Sequence, residues 1–420
     1  MSFSSLIHEI KNKFLIYSIG QGFNLVSPIV IAPYIISVCK LDSFGKIGLG
    51  FAFSLFLILI VDYAFDIKGT KKISESRNSH EQLQNQLVIT LFTKATLLVV
   101  AFIVSFLVIS FIPMFSSEKK LFFLSFTIVF AQVFNPIWFL QGLEDFKTSS
   151  LINILSKSTY LILVFLFVKQ KGDYVLVNFL LGLSSLVYNL IAILYIFKKF
   201  NFTLFYPKFQ QIKEIIVRDF MFCISQLFLS LRQHSPLFMV SYLLGFSYAG
   251  QYKVVEQIIS LFRTFSQVYL RFFFPKLCYK FSVSVIETIE FWKKYTLAIF
   301  VFVLTTSCVL IFISSNIIAF FNVPIENRIV LDSVVKFALI IPSLMVLSIS
   351  LELAMFLIHK DKQYIIIIII VTLINIIMLA FLLPVFHLKG VIISMSVAEL
   401  LFIVLFYRSI ISFKKNQIQC

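Results

Sequence analysis

Long apolar runs alternate with short polar breaks along this chain, and the runs have the length a membrane helix needs. A spanning helix takes about 20 mostly apolar residues at ~1.5 Å each. Twelve segments satisfy that, at 14–38, 44–66, 87–112, 120–142, 150–170, 174–196, 218–244, 248–272, 293–320, 329–357, 364–385 and 389–412. The pattern predicts an all-α integral membrane protein of about 12 transmembrane helices. A basic break containing Pro207 falls between the sixth and seventh. The expected organisation is therefore an N-terminal six-helix lobe over 1–200, a cytoplasmic linker over 201–217 and a C-terminal six-helix lobe over 218–420. A sparse internal repeat supports the division. Ser27, Pro28 and Tyr34 of the first span recur as Ser235, Pro236 and Tyr242 of the seventh, at an offset of 208. After a shorter turn, Phe44-Gly45 finds a counterpart in Ala249-Gly250. An even number of spans per half makes both halves enter the membrane in the same direction. The first apolar run continues into a full-length span, so no cleavable leader is expected.

The polar breaks also give a direction. With the N-terminus inside, the inner segments hold 22 of the 36 Lys and Arg and the outer loops hold eight. Basic residues accumulate on the cytoplasmic side, so both termini are expected there. Composition agrees with this reading. At 60% hydrophobic and 13% charged, the chain has too little polar surface for a soluble globule. The net charge of +16 is assigned to loops facing anionic lipid rather than to nucleic acid. All outer loops are short, and none of the inner ones is long enough to build a core of its own.

One stretch departs from the apolar pattern. Arg232, Gln233 and His234 sit in the middle of the seventh span. The eighth carries Lys253, Glu256, Gln257, Ser260, Arg263, Thr264, Gln267 and Arg271, at spacings of three, four and seven that place them on one helix face. Ionisable residues at membrane depth face protein or water and mark pathways or sites. The two spans run antiparallel, which puts Arg232 and Arg263 at a common depth, Lys253 toward the outer end and Arg271 toward the inner. An Arg fork suits phosphate. Two readings stand: a route for a large anionic, lipid-linked substrate, or a buried ion-pair network that clamps helices. Glu256 is placed to neutralise a neighbour in either case.

Other polar residues are more scattered. Tyr17, Gln21, Asn24 and Pro28 share a face of the first span and either bond neighbouring helices or line a polar cavity. Asp62 and Asp66 end the second span, where nearby lysines can pair with them. Lys94 and Lys157 either snorkel or line a cavity. Asp332 and Lys336, four apart, can pair with each other. Glu352 and Glu399 each lie alone in an apolar stretch, as protonated, paired or cation-coupling groups. The matching face of the second span is apolar as far as Asp62, so the charge chemistry is expected in the C-terminal half. The five Cys and five His show no metal or disulfide spacing, and no nucleotide loop or nucleophile motif is present. No metal, no cofactor and no enzymatic activity are expected.

The segment Asn135-Pro136-Ile137-Trp138-Phe139-Leu140-Gln141-Gly142-Leu143-Glu144 resembles the P-x-W-[FY]-x-Q-G-x-E signature of Wzx-type O-antigen flippases. These are polysaccharide exporters of the multidrug/oligosaccharidyl-lipid/polysaccharide superfamily. Gln21, Asn24, Pro28 and Pro33-Tyr34 are similar to that family's first helix, and Phe44-Gly45 to its first outer turn. Asp62-Tyr63-Ala64-Phe65 with Gly69-Thr70 is similar to its second-helix end, with Asp66 where the family has Gly. Leu244-Gly245 and Gly250-Gln251-Tyr252 are similar to the start of its second half. The resemblance implies two six-helix lobes in a V, as in MATE transporters, in a bacterial inner membrane. It implies an undecaprenyl-pyrophosphate-linked oligosaccharide, an O-antigen repeat unit, moved to the periplasmic leaflet by alternating access. Membrane lipids, and as candidates an O-antigen polymerase and chain-length regulator, are the implied partners. A cationic cavity would receive the pyrophosphate and anionic glycan through Arg232, Arg263, Lys253, Arg271, Gln257, Gln21 and Asn24, with Glu256, Glu352 and Glu399 as ion-coupling candidates. A drug or small-cation antiporter of the same fold is the alternative, and a membrane glycan polymerase a more distant one. The topology is open to a direct check: alkaline phosphatase fused after Ser116 or Gly172 should be active, and fused after Lys208 inactive.

Overall fold

The computed structural model describes residues 3–63 and 65–418; the side chains of 1–19, 21, 271, 275, 282 and 412–420 also lie outside the described residues. In chain order the helices are α1 (Phe3–Asp62), α2 (Thr70–Glu75) after a π turn at Phe65–Gly69, α3 (His80–Phe111), α4 (Pro113–Ser116), α5 (Lys119–Val133), α6 (Ile137–Gly142) and α7 (Phe146–Phe167). There follow α8 (Tyr174–Phe200), α9 (Phe209–Leu243), α10 (Phe246–Val283), α11 (Val285–Phe312), α12 (Ser314–Phe320), α13 (Ile325–Ala338), α14 (Ile341–Leu357) and α15 (Asp361–Ile418). No strand occurs among the described residues. Among the described residues eight segments have the length and apolarity to cross a membrane. The protein is an all-α membrane protein.

Two of those segments, Gly22–Asp62 and Asp361–Ile411, run to 41 and 51 residues. At ~1.5 Å per residue they are about 60 and 75 Å long, twice or more a hydrocarbon core of ~30 Å. Each contains one non-helical residue with positive φ, Lys40 (73°) and His387 (49°). Both fall in the outer turns expected between consecutive spans. Gly245, with φ of 89°, occupies the corresponding turn between α9 and α10, where a Cβ would be strained. Elsewhere the expected spans are divided. The fourth breaks at Asn135-Pro136, where the Asn135 side chain accepts from the Ile137 N–H at 3.0 Å and so caps α6. The tenth breaks between α13 and α14, at whose first turn Pro342 stands. Neither α9 nor α10 is among the eight apolar segments, because each carries charged and amide side chains in its middle.

The chain forms two compact units, Met1–Leu227 and Phe228–Cys420, and their division falls inside α9. Residues 202–208 carry no regular element, and α9 begins at Phe209. The first turns of α9 belong to the first unit for stated reasons. Tyr63 Oη donates to the Ile216 carbonyl at 2.6 Å, and Lys68 pairs with Asp219 at 2.6 Å. Ile215 and Cys223 join a buried cluster with Tyr63, Phe65 and Leu97. Within the first unit α5 lies along α8 and α1 along α7; within the second α14 lies along α15 and α10.

Both units bury their polar residues and turn apolar ones outward. Phe106, Phe111 and Leu194 in one unit and Phe381 in the other are exposed, whereas Lys94 is fully buried. That order follows from hydrocarbon as solvent, which offers no partner for a polar group. Asn178 Nδ2 donates to the Ile47 carbonyl and to Ser125 Oγ, at 3.0 and 2.9 Å, joining α8 to α1 and α5. Asp62 receives Lys94 Nζ at 2.5 Å and Gln132 Nε2 at 2.7 Å, so α1, α3 and α5 meet at one carboxylate. The expected partner of Asp62 was a lysine of the following loop. The partner is Lys94, which neither snorkels nor sits at the interface.

The tryptophan signature is a packing device. The Trp138 ring lies over Gly69, where an added Cβ would approach it at 2.8 Å. Gly142 faces Ile73 of α2, and a Cβ there would meet that side chain at 2.6 Å. Thr70 Oγ1 donates to the Trp138 carbonyl at 3.0 Å. Arg77 donates to the Gly142 carbonyl at 2.7 Å and pairs with Glu144 at 2.8 Å. The motif thus locks α6 onto α2. Leaving Asp62 without Lys94 should cost about 3 kcal/mol, the usual penalty for stranding one member of a buried pair. Lys94→Ala should therefore unfold earlier in a detergent-denaturation titration, and Asp62→Asn with Lys94→Met should recover much of the loss.

Candidate functional site

Charge in the second unit converges on one cavity. It has a volume of about 190 Å³, and its lining includes Arg232 and Gln233 of α9, Arg263 and Gln267 of α10, Glu352 of α14 and Glu399 of α15. The two arginines sit on helices adjacent in sequence; the two glutamates come from far along the chain. Arg232 Nη2 donates to Glu399 Oε1 at 2.8 Å, and its guanidinium stacks 3.8 Å from the Phe402 ring centre. The other Glu399 oxygen accepts from Ser348 Oγ. Tyr364 Oη donates to Glu352 at 2.9 Å. Arg263 differs: its Nη1 is buried with no hydrogen-bond partner among the described residues. Thr372 Oγ1, also on the wall, is in the same condition. The cavity therefore holds two bases and two acids, with both acids already bonded and a guanidinium nitrogen open.

The remaining candidates divide. Lys253 pairs with Glu256 at 2.7 Å, three residues away on α10, and neither lines the cavity. Gln257 is buried on the same helix, also outside that lining. The stripe expected along α10 is thus a local ion pair followed by a cavity wall. Arg271 and Gln21 have side chains outside the described residues, as does Tyr17. Asn24 belongs to the first unit, where it lines a different cavity together with Lys157. Asp332 pairs with Lys336 at 2.6 Å, as their spacing predicts, and also receives Ser314 and Ser315. Glu352 and Glu399, which stand alone in the sequence, have partners supplied by the fold. Thr372 and Asn375 of the wall, and Ser348, which bonds Glu399, are small polar residues within apolar runs whose positions in the sequence give no sign of this site. Buried charge is expected mainly in the second half, whereas Asp62, Lys94 and Lys157 place charge inside the first.

Residues 10–276 match the model of a family described as "Polysaccharide biosynthesis protein". That match covers more than half of the chain. The protein belongs to the polysaccharide biosynthesis protein family. Two relatives, each named "Putative O-antigen transporter", come from Escherichia coli (strain K12) and Shigella dysenteriae. The first is 25% identical over 185 residues, 44% of this chain and 45% of the relative. The second is 22% identical over 246 residues, 59% of this chain and 60% of the relative. The matched segments thus span about half the length of these relatives. Among solved structures, a lipid II flippase MurJ in an inward closed conformation aligns with a TM-score of 0.73 at 15% identity, covering 94% of this chain and 87% of that one. An inward-facing multidrug resistance MATE family transporter of the MOP superfamily aligns at 0.69 and 16% identity, covering 94% and 95%. At such identities the likeness establishes the fold alone, which this chain shares with those transporters. The Arg232–Glu399 contact is testable on its own. A double-mutant cycle with Arg232→Met and Glu399→Leu should give a coupling free energy of at least about 1 kcal/mol in unfolding; additive effects would mean that the two side chains stabilise independently.

Proposed function

We propose that this family member is a flippase for an undecaprenyl-pyrophosphate-linked oligosaccharide, an O-antigen repeat unit, carried from the cytoplasmic to the periplasmic leaflet of a bacterial inner membrane. Two six-helix lobes with both termini in the cytoplasm would move it by alternating access. The observation that supports the reading is the Arg263 Nη1, without a hydrogen-bond partner among the described residues, in a cavity that Arg232 also lines and whose two carboxylates are already bonded. An anion with several oxygens satisfies such a pair, because planar guanidinium donors match a phosphate group. Burial strengthens the attraction relative to water. A small-cation antiporter is less well supported: both acids that would hold a cation are engaged, one by Arg232 and Ser348 and the other by Tyr364. The names of the two relatives favour a transporter over an enzyme, and the fold is shared with a lipid II flippase.

Within this reading Arg263 is the first contact for pyrophosphate. Arg232 is a second contact that shares its charge with Glu399. Lys253, Arg271, Gln257, Gln21 and Asn24 remain supporting candidates, and Glu256, Glu352 and Glu399 coupling candidates. The polymerase and chain-length regulator of the same glycan are candidate partners. In a flippase-null strain expressing each variant at normal level, Arg263→Ala should reduce surface O-antigen at least about tenfold, the loss expected from one charge-assisted contact. Arg232→Ala should also impair export, whereas Arg232→Lys and Arg263→Lys should retain part of it. Normal surface polysaccharide from an Arg232→Ala/Arg263→Ala double variant would remove this cavity from the transport path.

A further inference from the structure

The first unit contains a cavity of its own, and its chemistry is unlike that of the second. It has a volume of about 170 Å³, and Asn24 of α1, Gln132 of α5, Asn153 and Lys157 of α7 and Asn189 of α8 contribute to its wall. Among the described residues Lys157 carries the one charge on that wall, and no Asp or Glu lines it. α7 begins at Phe146, so Lys157 lies about 17 Å along the helix at ~1.5 Å per residue. Among the described residues Lys157 makes no hydrogen bond or ion pair. The nearby carboxylate on the α1–α5 contact, Asp62, is committed to Lys94 and Gln132.

The amides around Lys157 are partly spent. Gln132 donates to Asp62 and accepts from Asn135. Asn189 donates to the Ala131 carbonyl at 2.9 Å, which leaves its side-chain oxygen facing no donor among the described residues. Asn153 has no hydrogen-bond partner among the described residues, and the Ser156 and Ser185 hydroxyls of the same wall touch each other at 3.3 Å. The open groups are therefore an ammonium, a whole carboxamide and one amide oxygen. Lys157 and Asn153 are half-buried, and an ammonium without a counter-charge or an amide without a partner is costly to remove from water. A ligand that satisfies all three needs one negative charge for Lys157, further oxygens for the Asn153 amide protons, and hydroxyl protons for the amide oxygens.

We infer that this cavity is a binding site for a hydroxylated monocarboxylate, the chemistry of an acidic sugar residue, with Lys157 on the carboxylate and Asn153 and Asn189 on the hydroxyls. For its physiological ligand the inference rests on the flippase reading: the glycan carried would then contain an acidic sugar, recognised in the first unit. The site itself does not depend on that reading. It requires only the lone cation and the unsatisfied amides. A polyanion suits it poorly, whether the doubly charged pyrophosphate diester of a lipid-linked glycan or the more highly charged free pyrophosphate, since one ammonium leaves the further charge uncompensated.

Binding can be measured on the full chain purified in detergent, by thermal unfolding with sodium D-glucuronate, D-glucose, sodium chloride or sodium pyrophosphate as the added probe. Glucuronate should raise the unfolding midpoint saturably, and glucose at equal concentration should shift it much less. Lys157→Gln should weaken glucuronate at least about tenfold, as expected for a lost charge-assisted hydrogen bond. Lys157→Arg should retain binding. Asn153→Asp, which keeps the lysine but supplies it with a carboxylate, should abolish it. Pyrophosphate should behave oppositely, weakened by Arg263→Gln and unchanged by Lys157→Gln. No glucuronate effect, an equal effect of glucose, an equal effect of chloride, or full binding by Lys157→Gln would each overturn the assignment. Glucuronate binding without pyrophosphate binding would leave this site standing and count against the proposed use of the second-unit cavity.

Discussion

Arg232 can occupy the middle of a membrane helix because Glu399 reaches it from α15, 2.8 Å away. An unpaired guanidinium in hydrocarbon is costly, and a lone carboxylate is no better. Pairing removes both penalties at once and gives α9 and α15 a fixed register. Ser348 holds the second Glu399 oxygen, which brings α14 into the same contact. Phe402 supplies a π face for the guanidinium, so the remaining side of the charge rests on an aromatic ring. The second-unit cavity is the space left around this arrangement. Its walls are polar because the helices that make them are held there by charge. The same rule operates in the first unit, where Asp62, Lys94 and Gln132 tie three helices together and a polar cavity opens beside them.

The local features were legible in the sequence because they depend on short spacings. Apolar runs mark the long helices, and the turns at Lys40, Gly245 and His387 fall where the runs stop. Asp332 and Lys336, four apart, pair directly. Lys253 and Glu256, three apart, do the same. That second pair also shows the limit of reading a helix face as a stripe. Spacing reveals which side chains share a face but not which of them are already neutralised. Lys253 is spent locally, whereas Arg263, ten residues on, has an open nitrogen.

Contacts between distant helices left no such trace. Arg232 and Glu399 are 167 residues apart. Read singly, Glu399 is an isolated acid and Arg232 one of a cationic series; only the packing of α9 on α15 makes them a unit. Asn24, expected either to bond neighbouring helices or to line a polar cavity, lines the first-unit cavity with Lys157. For Lys157 the sequence leaves snorkelling and cavity lining open, and the fold puts it on a cavity wall. The tryptophan signature shapes the end of the fourth span, as its position there suggests, but the close approach of Gly69 to Trp138 and of Gly142 to Ile73 has no counterpart in the sequence pattern. A glycine that admits a neighbour reads the same in sequence as one that makes a turn.

Counting bonds, rather than charges, changes the picture of how this chain would handle an anion. The net charge of +16 is a property of the whole sequence and says little about the interior. Inside, most cations have partners: Lys94 with Asp62, Lys253 with Glu256, Arg232 with Glu399. Two lack full satisfaction among the described residues, Arg263 in one unit and Lys157 in the other. They differ in kind, a planar fork against a point charge, and so do their surroundings. Arg263 faces a wall with a second arginine and bonded acids. Lys157 faces amides and hydroxyls. Fork-shaped donors favour an anion with paired oxygens, whereas a single ammonium among amides favours a single charge surrounded by hydroxyls. The two units thus hold polar interiors of different chemistry, one lined by arginines and bonded acids and the other by a lysine among amides.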